Sequence, residues 1–328
     1  MLTEATHIIQ RGNTMGTTYF VHYLDRHSRN IKPEIEEILK DFNQSLSIYI
    51  SDSDISIFNR KGRVNFRYSY FYPVLEEAKR IYRKTNGYFN PTLYHLVNKY
   101  GFGPSDEVSS SMGKNILGLE VIEFNREGAS SKKSVQLDLN AIAKGYAVDV
   151  IGEYLESKGI SNYIIEIGGD IRAMGAKGNT TWNAGIIMPD YRSKAEEGIL
   201  EVPLCNYSLA TSGAYRNFSI DFDGATRSHL INPVTRDAKV NEMLSVTVLA
   251  KNCITADAYA TGISVAGLKV AIKWTEALAK EGVYILAFFS DEKKHARIYC
   301  SSPENFGLTK KNLAVLEKQI NTKLQNRI

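Results

Sequence analysis

The chain is short of the features that most quickly assign a protein to a class. It has three cysteines, Cys205, Cys253 and Cys300, odd in number and far apart. They build neither a disulfide framework nor a CxxC metal site, and core packing is their expected role, because free cysteine is usually buried. No apolar run approaches the roughly 20 residues that a spanning helix needs, so no membrane span is expected in this chain. Met1 to Ala5 shows no basic stretch leading into an apolar one, and no signal peptide is expected. Forty Lys+Arg against 36 Asp+Glu leave a formal charge of only +4, which argues against a nucleic-acid groove or a polybasic membrane patch. There is no fixed-period repeat, no low-complexity tract, and neither a GxGxxG nor a Walker A loop.

What remains is 328 residues of ordinary globular composition, 43% hydrophobic. That is enough for a sizeable core in one large domain or two. Thr17–Tyr23 alternates as a strand does. Pro33–Leu46 reads as a helix, with Pro33 in its first turn, acids at its positive end, and Ile35, Ile38, Leu39 and Phe42 on one face. Tyr70–Lys84 is a second helix, stopped by Asn86-Gly87, and Asn140–Lys158 a third. Gly101–Lys133 reads as connecting loops with short strands. Strand signals recur at Tyr163–Ile167, Ala184–Met188, Tyr207–Ala210, Asn217–Phe222, Leu244–Leu249 and Val283–Phe289. Thr255–Lys280 is helical in pattern but carries Gly262 and Gly267, and Thr309–Leu324 is an amphipathic tail helix. Without regular βαβ alternation, the class is α+β with mainly antiparallel sheets and packed helices.

Four clusters carry chemistry. In Leu137-Asp138-Leu139-Asn140-Ala141-Ile142-Ala143-Lys144-Gly145 a strand runs into a helix, whose free N–H groups suit an anion such as phosphate. Lys144 is unfavourable for the dipole there; either a bound anion explains it or it is a surface lysine. Glu166-Ile167-Gly168-Gly169-Asp170 is either a tight turn or a place where a ligand approaches the backbone closely. Ala210-Thr211-Ser212-Gly213-Ala214-Tyr215-Arg216 and Ser228-His229-Leu230-Ile231-Asn232-Pro233 offer small hydroxyl residues and one histidine, a proton carrier or a structural ring. In Thr255–Thr261, Asp257 and Thr261 stand at i and i+4 on one helix face. They are hard oxygen donors suited to Mg²⁺; the alternative is an acid that favours the helix dipole.

Taken together these segments resemble the ApbE family, the FAD:protein FMN transferases, from about Met15 to Phe289. The matching elements stand in family order: Met15-Gly16-Thr17-Thr18, Ser47-Ile48-Tyr49, Gly87-Tyr88-Phe89-Asn90-Pro91-Thr92, Asp138–Asp149, Glu166–Asp170, Ala210–Gly213, Ser228–Pro233 and Ala256–Thr261. The resemblance implies a single ApbE-like unit over 1–328, with about 15–290 matching the family, 291–328 as a C-terminal extension, and an active site in a cleft between two lobes. It implies that Met15, Tyr49, Tyr88, Phe89 and Asn90 line an FAD pocket and that Asp138 and Lys144 contact FAD. His229 and Ile231 would lie beside the dinucleotide. Mg²⁺ would take the Ala141 backbone carbonyl, Asp257 and Thr261. The implied reaction moves FMN from FAD to a Thr or Ser hydroxyl of an acceptor flavoprotein subunit of an electron-transfer complex, releasing AMP, with His229 ahead of Asp257 as general base. An FAD pyrophosphatase and a non-catalytic flavin carrier are the rival readings.

Two departures stand out. The family commonly has Asp-Pro and then Thr-Gly where this chain has Asn232-Pro233 and then Thr235-Arg236, and it commonly has Asp where Asn90 stands. Family members are usually exported and tethered by a lipidated cysteine, which this chain lacks. An extracytoplasmic place at the cell envelope, with leader and anchor missing from this chain, is the expectation; a cytoplasmic form is the alternative.

Overall fold

The computed structural model describes residues 5–104, 117–187, 199–213, 218–220, 226–239 and 241–325. The first part of the chain forms β1 (Thr6–Thr14), β2 (Thr17–Asp25), α1 (Lys32–Leu46), α2 (Asp54–Lys61), β3 (Arg63–Asn65), α3 (Phe71–Lys84), α4 (Tyr94–Lys99), β4 (Ile122–Phe124) and β5 (Gly128–Ser131). The middle forms α5 (Asn140–Ser157), β6 (Tyr163–Ile167), β7 (Asp170–Met174), β8 (Trp182–Ile187), β9 (Ile199–Leu204), β10 (Tyr207–Gly213) and β11 (Phe218–Ile220). Then come β12 (Thr226–Asn232), β13 (Asp237–Lys239), β14 (Met243–Ala250), α6 (Cys253–Ala266), α7 (Leu268–Lys280), β15 (Tyr284–Ser290), β16 (Ala296–Cys300) and α8 (Lys310–Gln325).

Eight strands form the main sheet in the order β1-β2-β6-β7-β10-β14-β15-β16. Every neighbouring pair is antiparallel, so the expected α+β class with mainly antiparallel sheets is what the chain adopts. Both faces of the sheet are buried, and the period of two sorts the side chains between them. Tyr19, Val21 and Tyr23 of β2 join Ile165, Ile167, Val246 and Val248 in a core shared with α5 and α6. Phe20 and Leu24 point the other way, toward Ile164, Leu249 and Trp182. The sheet opens with a two-residue hairpin in which Met15 (φ 51°) and Gly16 (φ 72°) both take the left-handed conformation that such turns require.

Helix α1 starts one residue earlier than read, with Pro33 in its first turn, and buries Ile35, Leu39 and Phe42. The Thr255–Lys280 pattern is two helices. Gly267 (φ 82°) ends α6, whereas Gly262 lies inside it because Phe89 packs so close that a Cβ would meet that residue's Cβ at 3.0 Å. Of the expected Ala184–Met188 and Asn217–Phe222 strands, Met188, Asn217 and positions 221–222 lie outside the described residues, as do Ala214–Arg216. The cysteine expectation needs correction. Cys253 is buried as expected, but Cys205 is exposed and Cys300 half-buried, because Cys205 follows β9 in the turn that leads to β10.

Candidate active site

Three local devices set the start of α5. Asn59 on α2 clamps Leu137 from both sides: its Nδ2 donates to the Leu137 carbonyl (2.8 Å) and its Oδ1 accepts from the Leu137 N–H (2.7 Å). The Asp138 N–H donates to the Pro91 carbonyl (2.8 Å). The Asp138 carboxylate then accepts from the Asn140 N–H (2.9 Å), relieving one of the donors left open at a helix start. Burial pushes the Asp138 carboxyl up to about 6, against the pull of that Asn140 N–H.

The loop beside it is built on Asn90, whose Oδ1 accepts from the Thr92 N–H (2.9 Å) and hydroxyl (2.6 Å). An amide oxygen does this as well as a carboxylate, so the Asn-for-Asp exchange leaves the turn intact. The second departure has a visible consequence. Asn232 Oδ1 accepts from the Val234 N–H (2.9 Å), and Arg236 takes a φ of 57°. Glycine adopts that conformation without steric cost, arginine does not.

The Gly168-Gly169 turn joins β6 to β7, with both residues at positive φ. At Gly168 a Cβ would meet Thr17 Cγ2 at 2.9 Å and Lys144 Cδ at 3.3 Å. The turn delivers Asp170, fully buried, to Lys144: Nζ lies 2.5 Å from Asp170 Oδ2 and 3.9 Å from Asp257 Oδ2. Lys144 is therefore not a solvated surface cation. Burial alone would lower its pKa, but the two carboxylates outweigh it and hold the ammonium above its ordinary range. Burial and the neighbouring Asp257 charge push the Asp170 carboxyl up, partly offset by Lys144.

Helices α5 and α6 touch at Gly145. A Cβ there would stand 2.4 Å from the Cys253 carbonyl oxygen and 2.8 Å from Asp257 Cβ. The Gly145 N–H donates to Asp257 Oδ2 (3.0 Å), although an ideal helix assigns that donor to the Ala141 carbonyl. Thr261, one turn beyond Asp257, lines the cleft, and its side-chain hydroxyl makes no hydrogen bond among the described residues. By contrast Thr275 of α7 turns its hydroxyl back to the carbonyl four residues earlier (3.2 Å).

These residues line one cavity of about 370 Å³, within the range of small-molecule sites. Tyr49, Tyr88, Phe89, Asn90, Asp138, Ala141, Lys144, His229, Ile231, Asp257 and Thr261 all reach it. On β12, His229 stands edge-on to Phe102 (ring centroids 6.3 Å apart). Met15 is the exception among the predicted site residues. The β1–β2 turn holds it at a separate shallow depression with Asn13, Thr14, Gly16, Thr17 and Thr18. The sequence reading did not single out Asp170 as the partner of Lys144, nor Gly145 as the point of helix contact. A glycine inside a helix was the available signal for the second.

The cavity thus combines aromatic rings with a lysine–carboxylate cluster and the Thr261 hydroxyl, a setting for an aromatic ligand bearing phosphates. Known proteins share this arrangement of chain. The ApbE family's sequence pattern matches residues 15–286. The FAD:protein FMN transferase of Vibrio cholerae is 38% identical over 273 residues, 78% of this chain and 80% of that protein. That of Haemophilus influenzae is 36% identical over 287 residues, 81% of this chain and 82% of that protein. Among solved structures, the flavin transferase ApbE from Vibrio cholerae superposes with a TM-score of 0.78 at 31% identity, covering 92% of this chain and 99% of its own. The apo flavinyl transferase ApbE of Pseudomonas stutzeri gives a TM-score of 0.78 at 25% identity, covering 94% and 99%. With cleft, sheet and sequence in agreement over most of its length, the chain belongs to the ApbE family.

Proposed function

We propose that this enzyme transfers FMN from FAD to a Thr or Ser hydroxyl of an acceptor protein, with Mg²⁺ as its metal. The observation that carries the reading is the convergence of Lys144, Asp257, Thr261 and Asp138 on one cavity that Tyr49, Tyr88, Phe89 and Phe102 also line. The aromatic rings suit an isoalloxazine or adenine ring, and the lysine suits a pyrophosphate.

The donor set fits Mg²⁺. Among the described residues no group of three or more His, Cys, Asp or Glu converges on a point, so an all-protein cage is absent there. A carboxylate from Asp257, a hydroxyl from Thr261 and the Ala141 carbonyl are hard oxygens. Mg²⁺ characteristically takes one or two carboxylates and fills its remaining positions with waters and substrate phosphates. Bound there, it would neutralise and orient the pyrophosphate.

In the reaction the acceptor hydroxyl oxygen attacks the phosphorus on the FMN side. A new P–O ester bond forms, the P–O bond to AMP breaks, and AMP leaves with that electron pair. Lys144, fixed by Asp170, places a positive charge beside the phosphates. His229, on β12 and lining the same cavity, takes the hydroxyl proton; Asp257 is less suited to that role while it serves as a metal ligand. The acceptor is a flavoprotein subunit of an electron-transfer complex, and the enzyme works on the extracytoplasmic face of the envelope.

Donor choice tests the reading. Calorimetry and product analysis with FAD and with FMN should show FAD bound and converted, AMP released, and FMN inert as a donor. Equal transfer from FMN would overturn it.

A further inference from the structure

Helix α6 starts without a cap of its own. Asn252 stands at its N-cap but its side chain makes no capping hydrogen bond. Asp149, on α5 and 104 positions earlier, supplies the cap instead. Its Oδ1 accepts from the Cys253 N–H (3.0 Å) and its Oδ2 from the Ile254 N–H (2.8 Å). Arg172 of β7 donates to the same Oδ1 (2.8 Å) and with its other nitrogen to Glu156 (2.9 Å), which also accepts from the Tyr163 hydroxyl (2.5 Å). Asp149 and Arg172 are both buried, so this carboxylate is held by three donors in a fixed place.

The positions of these contacts along the two helices form a series. Asp149 on α5 meets Cys253 on α6. One turn earlier on α5 and one turn later on α6, the roles reverse: the Asp257 carboxylate accepts from the Gly145 N–H. A further step of four residues on each helix brings Ala141 and Thr261, which both line the cleft. Residues four apart share a helix face, so the two helices run past one another in register: 149 with 253, 145 with 257, 141 with 261. Two carboxylate-to-backbone rungs hold the register, and the third pair is the one assigned to the metal.

We infer that Asp149 is a positioning residue for the metal site: it fixes α6 axially against α5 and so sets Asp257 and Thr261 opposite the Ala141 carbonyl. This rests on the reading of those three as Mg²⁺ donors. Asp149 itself does not reach the cleft; it acts one rung behind. Replacing it with asparagine keeps its size but puts an NH₂ where one of two backbone N–H groups needs an acceptor, and leaves Arg172 short of a charge.

The test compares wild type, Asp149→Asn and Asp257→Asn by three measurements: a thermal melt, calorimetric titration with Mg²⁺ in the presence of FAD, and amide hydrogen exchange without metal. Asp149→Asn should fold with a lowered melting temperature and bind Mg²⁺ at least 10-fold more weakly. Its Gly145 amide should exchange at least 10-fold faster relative to the Val248 amide in the sheet core, a ratio that uniform destabilisation would not change. Arg172→Lys, a milder perturbation of the same carboxylate, should move both readouts in the same direction by less, and serves if Asp149→Asn does not fold. An unchanged Gly145-to-Val248 ratio would overturn the inference, as would wild-type Mg²⁺ affinity in the variant. If wild type itself binds no Mg²⁺, the metal assignment fails and the positioning of a metal site falls with it. A relative loss of Gly145 protection would then still show Asp149 setting the helix register, which separates that failure from a failure of the contact itself.

Discussion

The two sides of the cleft are built by different means. The α5–α6 side is protein interior: Ile142, Ala143, Ala147, Ala256, Ala258 and Ala260 are all buried, and small residues let the helices approach until backbone and carboxylates bond directly. The opposite side rests on a small satellite core of Leu93, Leu96, Ile231 and Ala238, with Val97 and Tyr100 packed against it. Its strand β12 belongs to a three-stranded sheet of its own, apart from the main one. The first side holds fixed charges in a fixed register. The second presents His229 and apolar surface. A metal-binding pair needs the former, because its oxygens must be placed without adjustment; a proton acceptor needs only reach and an accessible lone pair.

If the two sides do separate work, changes on each should leave different signatures. The largest effect is expected at the histidine side. His229→Ala should lower transfer by roughly 10²–10⁴-fold, the usual contribution of a general base, with FAD binding and the magnesium midpoint kept. Steady-state rates over a magnesium series would show this, and a moved midpoint would merge the two sides. On the helical side, Asp257→Asn should lower transfer by roughly 10²–10³-fold, as loss of a fixed electrostatic partner does. Here the magnesium midpoint should rise and added Mg²⁺ should restore part of the rate. Near-normal melting would show that the loss is not one of folding.

Gly145→Ala sharpens the comparison through packing alone. The new methyl meets the backbone carbonyl of Cys253 at 2.4 Å, which no side-chain rotation relieves. Overpacking of this kind costs about 1–3 kcal/mol, readable as a lowered denaturant midpoint, and the helix separation should raise the magnesium requirement as well. The smallest effect concerns pH. The Asp138 carboxyl is pushed up to about 6 from an ordinary value of 3.8. A carboxyl whose folded value exceeds its unfolded one favours the folded state only when protonated, so its contribution to stability declines as pH rises from about 4 through about 6. Asp138→Asn keeps an acceptor for the Asn140 N–H and removes that decline. Denaturant melts should show a gain at pH 8 and none at pH 4.

Much of the fold is legible in the chain because its helices carry one-sided patterns. In α1 and α3 the buried residues recur every three or four positions, and the strand at Tyr163–Ile167 has the bounds the sequence suggests. The edge strand β1 is missed because Ile8 and Ile9 stand side by side among polar residues, so the sequence shows no apolar alternation although the strand's burial does alternate. Helix α2, only eight residues long, is passed over although Ser53 caps it and Gly62 ends it; its Asn59 clamps Leu137, and the stretch that leads into Asp138 is not the strand expected there but an irregular segment held by such contacts. At the cleft, Asp257 and Thr261 are legible as a pair because four residues make one helical turn. The bond from Lys144 to Asp170, and the cap that Asp149 places on α6, span 26 and 104 positions; no local pattern encodes them. Met15 lies in the β1–β2 turn, at a depression of its own rather than in the cavity that the other site residues line.

The most direct measurement is the intact mass of an acceptor subunit incubated with the enzyme, FAD and Mg²⁺, with Asp257→Asn and FMN-only reactions alongside. The acceptor should gain the mass of one phosphoester-linked FMN with wild type and FAD, with AMP released in equal amount. It should gain nothing with FMN as donor and very little with the variant. An acceptor of unchanged mass while FAD is cleaved to FMN and AMP would contradict the transfer and leave a hydrolase in its place.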